Sequence, residues 1–137
     1  MKRFFVLGIF LVLFSILLAG CGGSEDNMTP VSSLSVEMSE FKFNPAAMVV
    51  FAGQEITLNL SNTGGVEHDF IILKKSAAAK IPFDSEKQAA DILFDFKLES
   101  KGNGQFKFTL PEAGEYQVVC GVQGHMEAGM VATLTAK

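Results

Sequence analysis

Apolar and polar residues alternate through most of the chain beyond residue 33. Leu34-Ser35-Val36-Glu37-Met38 puts every second side chain on an apolar face, and Phe41-Lys42-Phe43 repeats the pattern until Pro45 ends it. Met48-Val49-Val50-Phe51 is a short apolar run closed by Ala52-Gly53. Gln54 to Ser61 then alternates up to a turn at Asn62-Thr63-Gly64-Gly65. His68 to Leu73, Gln105 to Leu110, Glu115 to Val119 and Val131 to Thr135 add further short strands. Turns fall about every ten residues, which predicts an all-β Greek-key sandwich or barrel of about seven or eight strands. Phe41, Phe43, Phe51, Phe70, Phe106 and Phe108 are the candidate large side chains of its single core.

The period changes between Leu73 and Gln105. Ser85-Glu86-Lys87-Gln88 has the form of a helix capping box, and Ala89, Ile92, Leu93 and Phe96 follow at helical spacing. This predicts a short helix inserted between strands and laid across the sandwich. Pro111-Glu112-Ala113-Gly114 reads as a tight corner, with Tyr116, the only tyrosine, as a structural residue bonding to backbone.

The first residues follow another logic. Met1-Lys2-Arg3 is cationic, and Phe4 to Leu18 is apolar apart from Gly8 and Ser15. That run is short for a membrane span, which takes about 20 residues, and suits a signal-peptide core. Leu18-Ala19-Gly20-Cys21 resembles the bacterial lipobox, in which cleavage exposes a cysteine that is then acylated. The expectation is a lipoprotein signal at 1–20, a lipidated Cys21 with a flexible Gly/Ser-bearing tether at 21–33, and one domain at 34–137. The implied location is a membrane-anchored, extracytoplasmic one. Removing Lys2 and Arg3 leaves 9 basic against 15 acidic residues, a net charge of −6. An acidic domain excludes nucleic acid as a natural partner and suits a basic protein one.

Candidate chemistry concentrates near the C-terminus, in Cys120-Gly121-Val122-Gln123-Gly124-His125-Met126-Glu127-Ala128-Gly129-Met130. A thiol, an imidazole and a thioether recur at four-residue gaps between two strands, with glycines that allow the loop to curl. Each alone is unremarkable: a free cysteine is usually a small buried hydrophobe and a methionine is usually core filler. Together, soft sulfur and imidazole suit copper, and two histidines, a cysteine and a long axial methionine make the blue-copper electron-transfer pattern. The chain holds only one other histidine, His68, at the mouth of an apolar strand. Cysteine usage agrees. With Cys21 acylated, Cys120 is a lone thiol outside the cytoplasm unless a metal occupies it. A Cys21–Cys120 disulfide is the competing arrangement, joining a floppy terminus to a buried loop.

Cys-x4-His-x4-Met at Cys120, His125 and Met130, with Gly65-Val66-Glu67-His68 upstream, resembles the cupredoxins, and within them the auracyanin type. The resemblance covers Leu34 to Lys137. It implies one copper ion per chain, held by His68, Cys120, His125 and Met130, and single-electron transport between redox partners, cytochrome- or oxidase-like. It also implies that His125 lies at the surface inside an apolar ring, for which Val122, Met126 and Ala128 are the candidates. Where many relatives carry asparagine after the first histidine, this chain has Asp69. In those relatives the asparagine helps tie the two ligand loops together; Asp69 could accept similar hydrogen bonds, and a carboxylate so near the metal would favour the oxidised site and lower the potential.

Two alternatives stay open at this point: a copper carrier or assembly protein of the same fold, and a metal-free β-sandwich binding module. A copper enzyme is not expected, because nitrite reductases and multicopper oxidases need further histidines. A two-copper centre needs a second loop cysteine. The domain is expected to be monomeric.

Overall fold

The computed structural model describes residues 28–137. The signal, lipobox and Cys21 expectations fall outside the described residues. Nine strands form two sheets: β1 (Ser33–Ser39), β2 (Lys42–Asn44), β3 (Ala47–Val50), β4 (Glu55–Asn62), β5 (His68–Leu73), β6 (Ile92–Leu98), β7 (Asn103–Thr109), β8 (Gly114–Val119) and β9 (Val131–Ala136). One sheet has the order β2-β1-β4-β7 and the other β3-β9-β8-β5-β6. β1 runs parallel to β4 and β3 parallel to β9, while the remaining neighbours are antiparallel.

The alternation read from sequence decides the packing. Leu34, Val36 and Met38 of β1 and Ile56, Leu58 and Leu60 of β4 point into the space between the sheets and are buried. Phe70, Ile72, Tyr116, Val118 and Leu134 face them from the other sheet. The Tyr116 hydroxyl donates to the Glu112 carbonyl at 2.8 Å, so this tyrosine is a corner residue, as its position suggested.

β5 is buried at all six positions because both of its faces are covered. Its outward side chains Ile71 and Leu73 join Val119, Phe83 and Met126 in a second, smaller cluster. The cover over that outer face is residues 74–91, and here the expected helix shrinks to a single 3-10 turn at Ala89–Asp91. Asp84 makes the turn that was assigned to Ser85: its Oδ1 accepts the N–H groups of Glu86 and Lys87, each at 3.1 Å. The buried Gln88 amide holds both backbone groups of Lys80.

The residues that carried the rest of the helical spacing are strand β6, paired with β5 from His68–Leu98 to Leu73–Ile92. Phe94-Asp95-Phe96-Lys97-Leu98 alternates with period two, and β6 aligns Phe94 and Phe96 with Phe106 and Phe108 of β7. Burying these rings across the sandwich outweighs a one-sided helical stripe.

Candidate metal centre

His68 opens β5 and Cys120 directly follows β8; these strands are antiparallel neighbours with Ile71 opposite Val119 and Ile72 opposite Val118. Extending that register places Cys120 beside the first residues of β5. The Asp69 backbone N–H donates to Cys120 Sγ at 3.4 Å, tying the thiol to the strand that carries His68.

β8 and β9 pair up to Val119–Val131, and the ladder continues with the Cys120 N–H donating to the Met130 carbonyl at 3.3 Å. The ligand loop is therefore closed at its base. Within it the His125 N–H bonds Val122 O at 3.0 Å, and the Met130 N–H bonds His125 O at 2.9 Å. Gly124 (φ +84°) and Gly129 (φ +103°) supply the two left-handed turns that this winding needs.

The outcome is a compact donor set. Cys120 Sγ lies 3.8 Å from His68 Nδ1 and 3.6 Å from His125 Nδ1, and the three ligand atoms fall within 4.8 Å of one another. A first-row metal ion with planar bonds of about 2.0 Å to nitrogen and about 2.3 Å to thiolate would hold N and S about 3.7 Å apart. The observed spacings match that value. The two imidazoles are tilted by 50° with centroids 5.0 Å apart. Met130 is fully buried, held by its backbone to both Cys120 and His125. Among the described residues Cys120 is a free thiol.

The sequence profile of the family described as "Copper binding proteins, plastocyanin/azurin family" matches residues 31–137. The chain belongs to this family. Copper is the metal that the centre is built for.

This cupredoxin is 26% identical over 110 residues to "Copper-resistant cuproprotein CopI" of Rubrivivax gelatinosus, covering 77% of this chain and 66% of that protein. It is 26% identical over 147 residues to "Auracyanin-A" of Chloroflexus aurantiacus, covering 90% of each. Among solved structures, reduced auracyanin from Roseiflexus castenholzii superposes with a TM-score of 0.70 at 22% identity, over 80% of this chain and 99% of that one. Auracyanin B superposes with a TM-score of 0.67 at 22% identity, over 81% and 92%. These likenesses establish the cupredoxin fold.

Burial sets the protonation of the donors. It lowers the pKa of His68, helped by the neighbouring His125 and opposed by Glu40, so the imidazole is neutral and available as a ligand. Burial pushes the Cys120 thiol up, against the backbone N–H groups of Asp69 and Val122. The metal-free protein therefore holds a thiol, and a metal ion must displace its proton.

Three expectations change around this centre. Met126 is buried at 8% exposure and packs into the second cluster beneath Phe83, so it is absent from the surface ring. Phe41 is not a core residue: at 48% exposure it lies edge-on to the His125 ring, with centroids 5.3 Å apart and an interplanar angle of 78°. Its φ of +63° breaks the alternation with Phe43 and turns the ring outward. Asp69 ties the ligand strands together through its backbone N–H, as above. No hydrogen bond reaches its buried Oδ1, which has the Lys97 ammonium 3.6 Å away. Burial raises the pKa of Asp69 and Lys97 opposes that rise.

Two residues support the site in roles that the sequence did not give them. The Asn62 amide donates to the carbonyls of Val66 (2.8 Å), Leu98 (3.1 Å) and Glu99 (3.1 Å) and accepts the Gly64 N–H (2.9 Å), which fixes the approach to His68. Glu127 Oε1 accepts the Phe83 N–H at 2.9 Å, which commits this carboxylate to the loop's anchorage.

Proposed function

We propose that this cupredoxin carries single electrons at a type 1 copper centre held by His68, Cys120, His125 and Met130. The observation that carries the reading is the buried Cys120 sulfur 3.6 and 3.8 Å from two imidazole nitrogens, His125 in the β8–β9 loop and His68 at the start of β5. Copper supplies the Cu(I)/Cu(II) couple and the intense thiolate charge-transfer colour when bound. Cys120 gives the thiolate. His68 and His125 would bind copper through Nδ1, and Met130 would add a weak thioether donor. The closed β8–β9 ladder and the Asp69–Cys120 bond resist rearrangement of these side chains between oxidation states, which keeps the reorganisation cost of transfer low.

The purified protein loaded with Cu(II) is expected to show a strong visible band and reversible redox cycling. Met130→Leu keeps the band and raises the potential by at least about 59 mV, the equivalent of a tenfold selective loss of Cu(II) affinity for a one-electron couple. An unchanged potential rules out Met130 as a donor.

His125 is the half-buried ligand: the Phe41 ring lies edge-on to it, its backbone N–H bonds Val122 O and the exposed Ala128 lies three residues on in the same loop, so these three side chains would form an apolar rim. This apolar rim supports docking of a redox partner, cytochrome- or oxidase-like, over a small and transient contact. Ala128 is exposed. Ala128→Glu is expected to slow electron exchange with such a partner several-fold while the copper spectrum stays unchanged, measured by stopped-flow; an unaltered rate removes the rim from the docking surface. No helix among the described residues is long and apolar enough to cross a membrane. The Leu18-Ala19-Gly20-Cys21 sequence supports a lipid anchor at Cys21 on the extracytoplasmic side, read by mass spectrometry of the processed N-terminus.

A second reading, copper binding for tolerance or delivery without electron transport, is favoured by the likeness to the copper-resistant cuproprotein CopI. Colourless binding selective for Cu(I) would select it.

A further inference from the structure

His68 is fully buried, and its Nε2 has no hydrogen-bond partner. With Nδ1 turned to the metal, a neutral imidazole must carry its proton on Nε2. The buried donor needs an acceptor, because ligating histidines nearly always give their second N–H to one.

The surroundings of Nε2 narrow the choice. A methyl group placed on Gly64 would sit 2.7 Å from His68 Nε2, 2.9 Å from Glu40 Oε1 and 3.1 Å from Asn62 Oδ1. Three polar atoms thus converge on the bare α-carbon of Gly64, and only glycine leaves that space free. Asn62 Oδ1 already accepts the Gly64 N–H, and its amide is immobilised by three carbonyls. Glu40 is anchored by a hydrogen bond from the Gly65 N–H. That bond and its own backbone N–H keep the carboxyl below its ordinary range, so it is ionised with further acceptor sites unused.

Resting on the copper-centre reading above, we infer that Glu40 is a positioning residue: its carboxylate takes the His68 Nε2–H and fixes the ring whose Nδ1 faces the metal. Glu40 and Phe41 are adjacent in the β1–β2 turn, so this one turn reaches both histidine ligands, Glu40 at His68 and Phe41 at His125. It is a third loop of the site, besides the segments that supply ligands.

The test compares the wild type, Glu40→Gln and Glu40→Ala in the full-length protein. In Glu40→Ala the Cu(II) dissociation constant is expected to rise about 10–100-fold, and the potential to rise with it. Glu40→Gln keeps an oxygen acceptor and is expected to stay within about threefold of wild type in affinity, with a smaller rise in potential. Long-range 1H–15N spectra of the diamagnetic Cu(I) form should show a slowly exchanging His68 Nε2–H in wild type and Glu40→Gln, and its loss in Glu40→Ala. Equal effects of Gln and Ala would mean that Glu40 acts only through its charge, and an Nε2–H signal unaltered in Glu40→Ala would give the acceptor role to Asn62; either overturns the inference. A wild type lacking the blue band overturns the copper-centre reading, and the inference with it. A blue wild type with unaffected variants overturns the inference alone.

Discussion

Cys120→Ser abolishes the visible band of the copper-loaded protein and weakens Cu(II) binding by more than about 100-fold, beyond the range for losing an outer-shell partner. Cys120 Sγ lies within 3.8 Å of both imidazole nitrogens, so its thiolate is the expected source of the charge-transfer colour. A serine hydroxyl stays protonated at neutral pH and cannot replace it. The substitution is nearly isosteric, and the hydroxyl can still accept the Asp69 N–H that Sγ accepts now. The metal-free variant is therefore expected to unfold within about 1–3 kcal/mol of wild type, the range for a perturbed buried polar contact. Spectroscopy and copper competition on both proteins check this, and a thiolate-intensity band surviving in the serine protein would remove Cys120 from the centre.

Phe70→Ala is expected to cost about 3–5 kcal/mol. The ring is completely buried in the main core and lies edge-on to Phe43 of the opposite sheet, with centroids 5.5 Å apart at 83°. It is thus one of the contacts that hold the two sheets together. Domains of this size have about 5–15 kcal/mol in total. At about 4 °C per kcal/mol, the melting temperature should fall by roughly 12–20 °C. Phe70→Leu, which keeps most of the volume, should cost under about 1.5 kcal/mol. Thermal unfolding of the two metal-free variants separates them, and near-equal losses would show that packing around Phe70 is not what joins the sheets. Phe70 also lies two positions from His68 on β5, so the alanine variant should bind copper less tightly than its stability loss alone requires.

The features legible in sequence were those governed by local period or by rare residues. β1, β4 and β9 alternate cleanly because one face of each meets the core and the other meets solvent. His68, Cys120 and His125 stood out because the chain has so few histidines and thiols to explain. β6 was hidden because Ala89, Ile92, Leu93 and Phe96 satisfy a helical stripe, while Phe94, Phe96 and Leu98 satisfy an alternating one. Only the rings waiting on β7 favour the second. Met126 points away from His125, as adjacent side chains do. The outward direction leads into a second core that exists only once residues 74–91 have folded across β5. Phe41 shares its parity with Phe43, and a single positive φ undoes the inference. Glu40 matters through contacts distant along the chain and carries no local pattern, and Asn62, legible as the start of a turn, also reaches Leu98 and Glu99, which its turn does not announce.

β1 joins its sheet at Ser33 and leaves it at Ser39, just before the turn that reaches both histidines. Seven extended residues span on the order of 20 Å, so the strand begins near the pole of the sandwich remote from the copper. A leash fixed at that end would act like the stem of a lamp. Were the chain anchored at Cys21, as proposed above, its copper-bearing pole would face away from the anchoring surface.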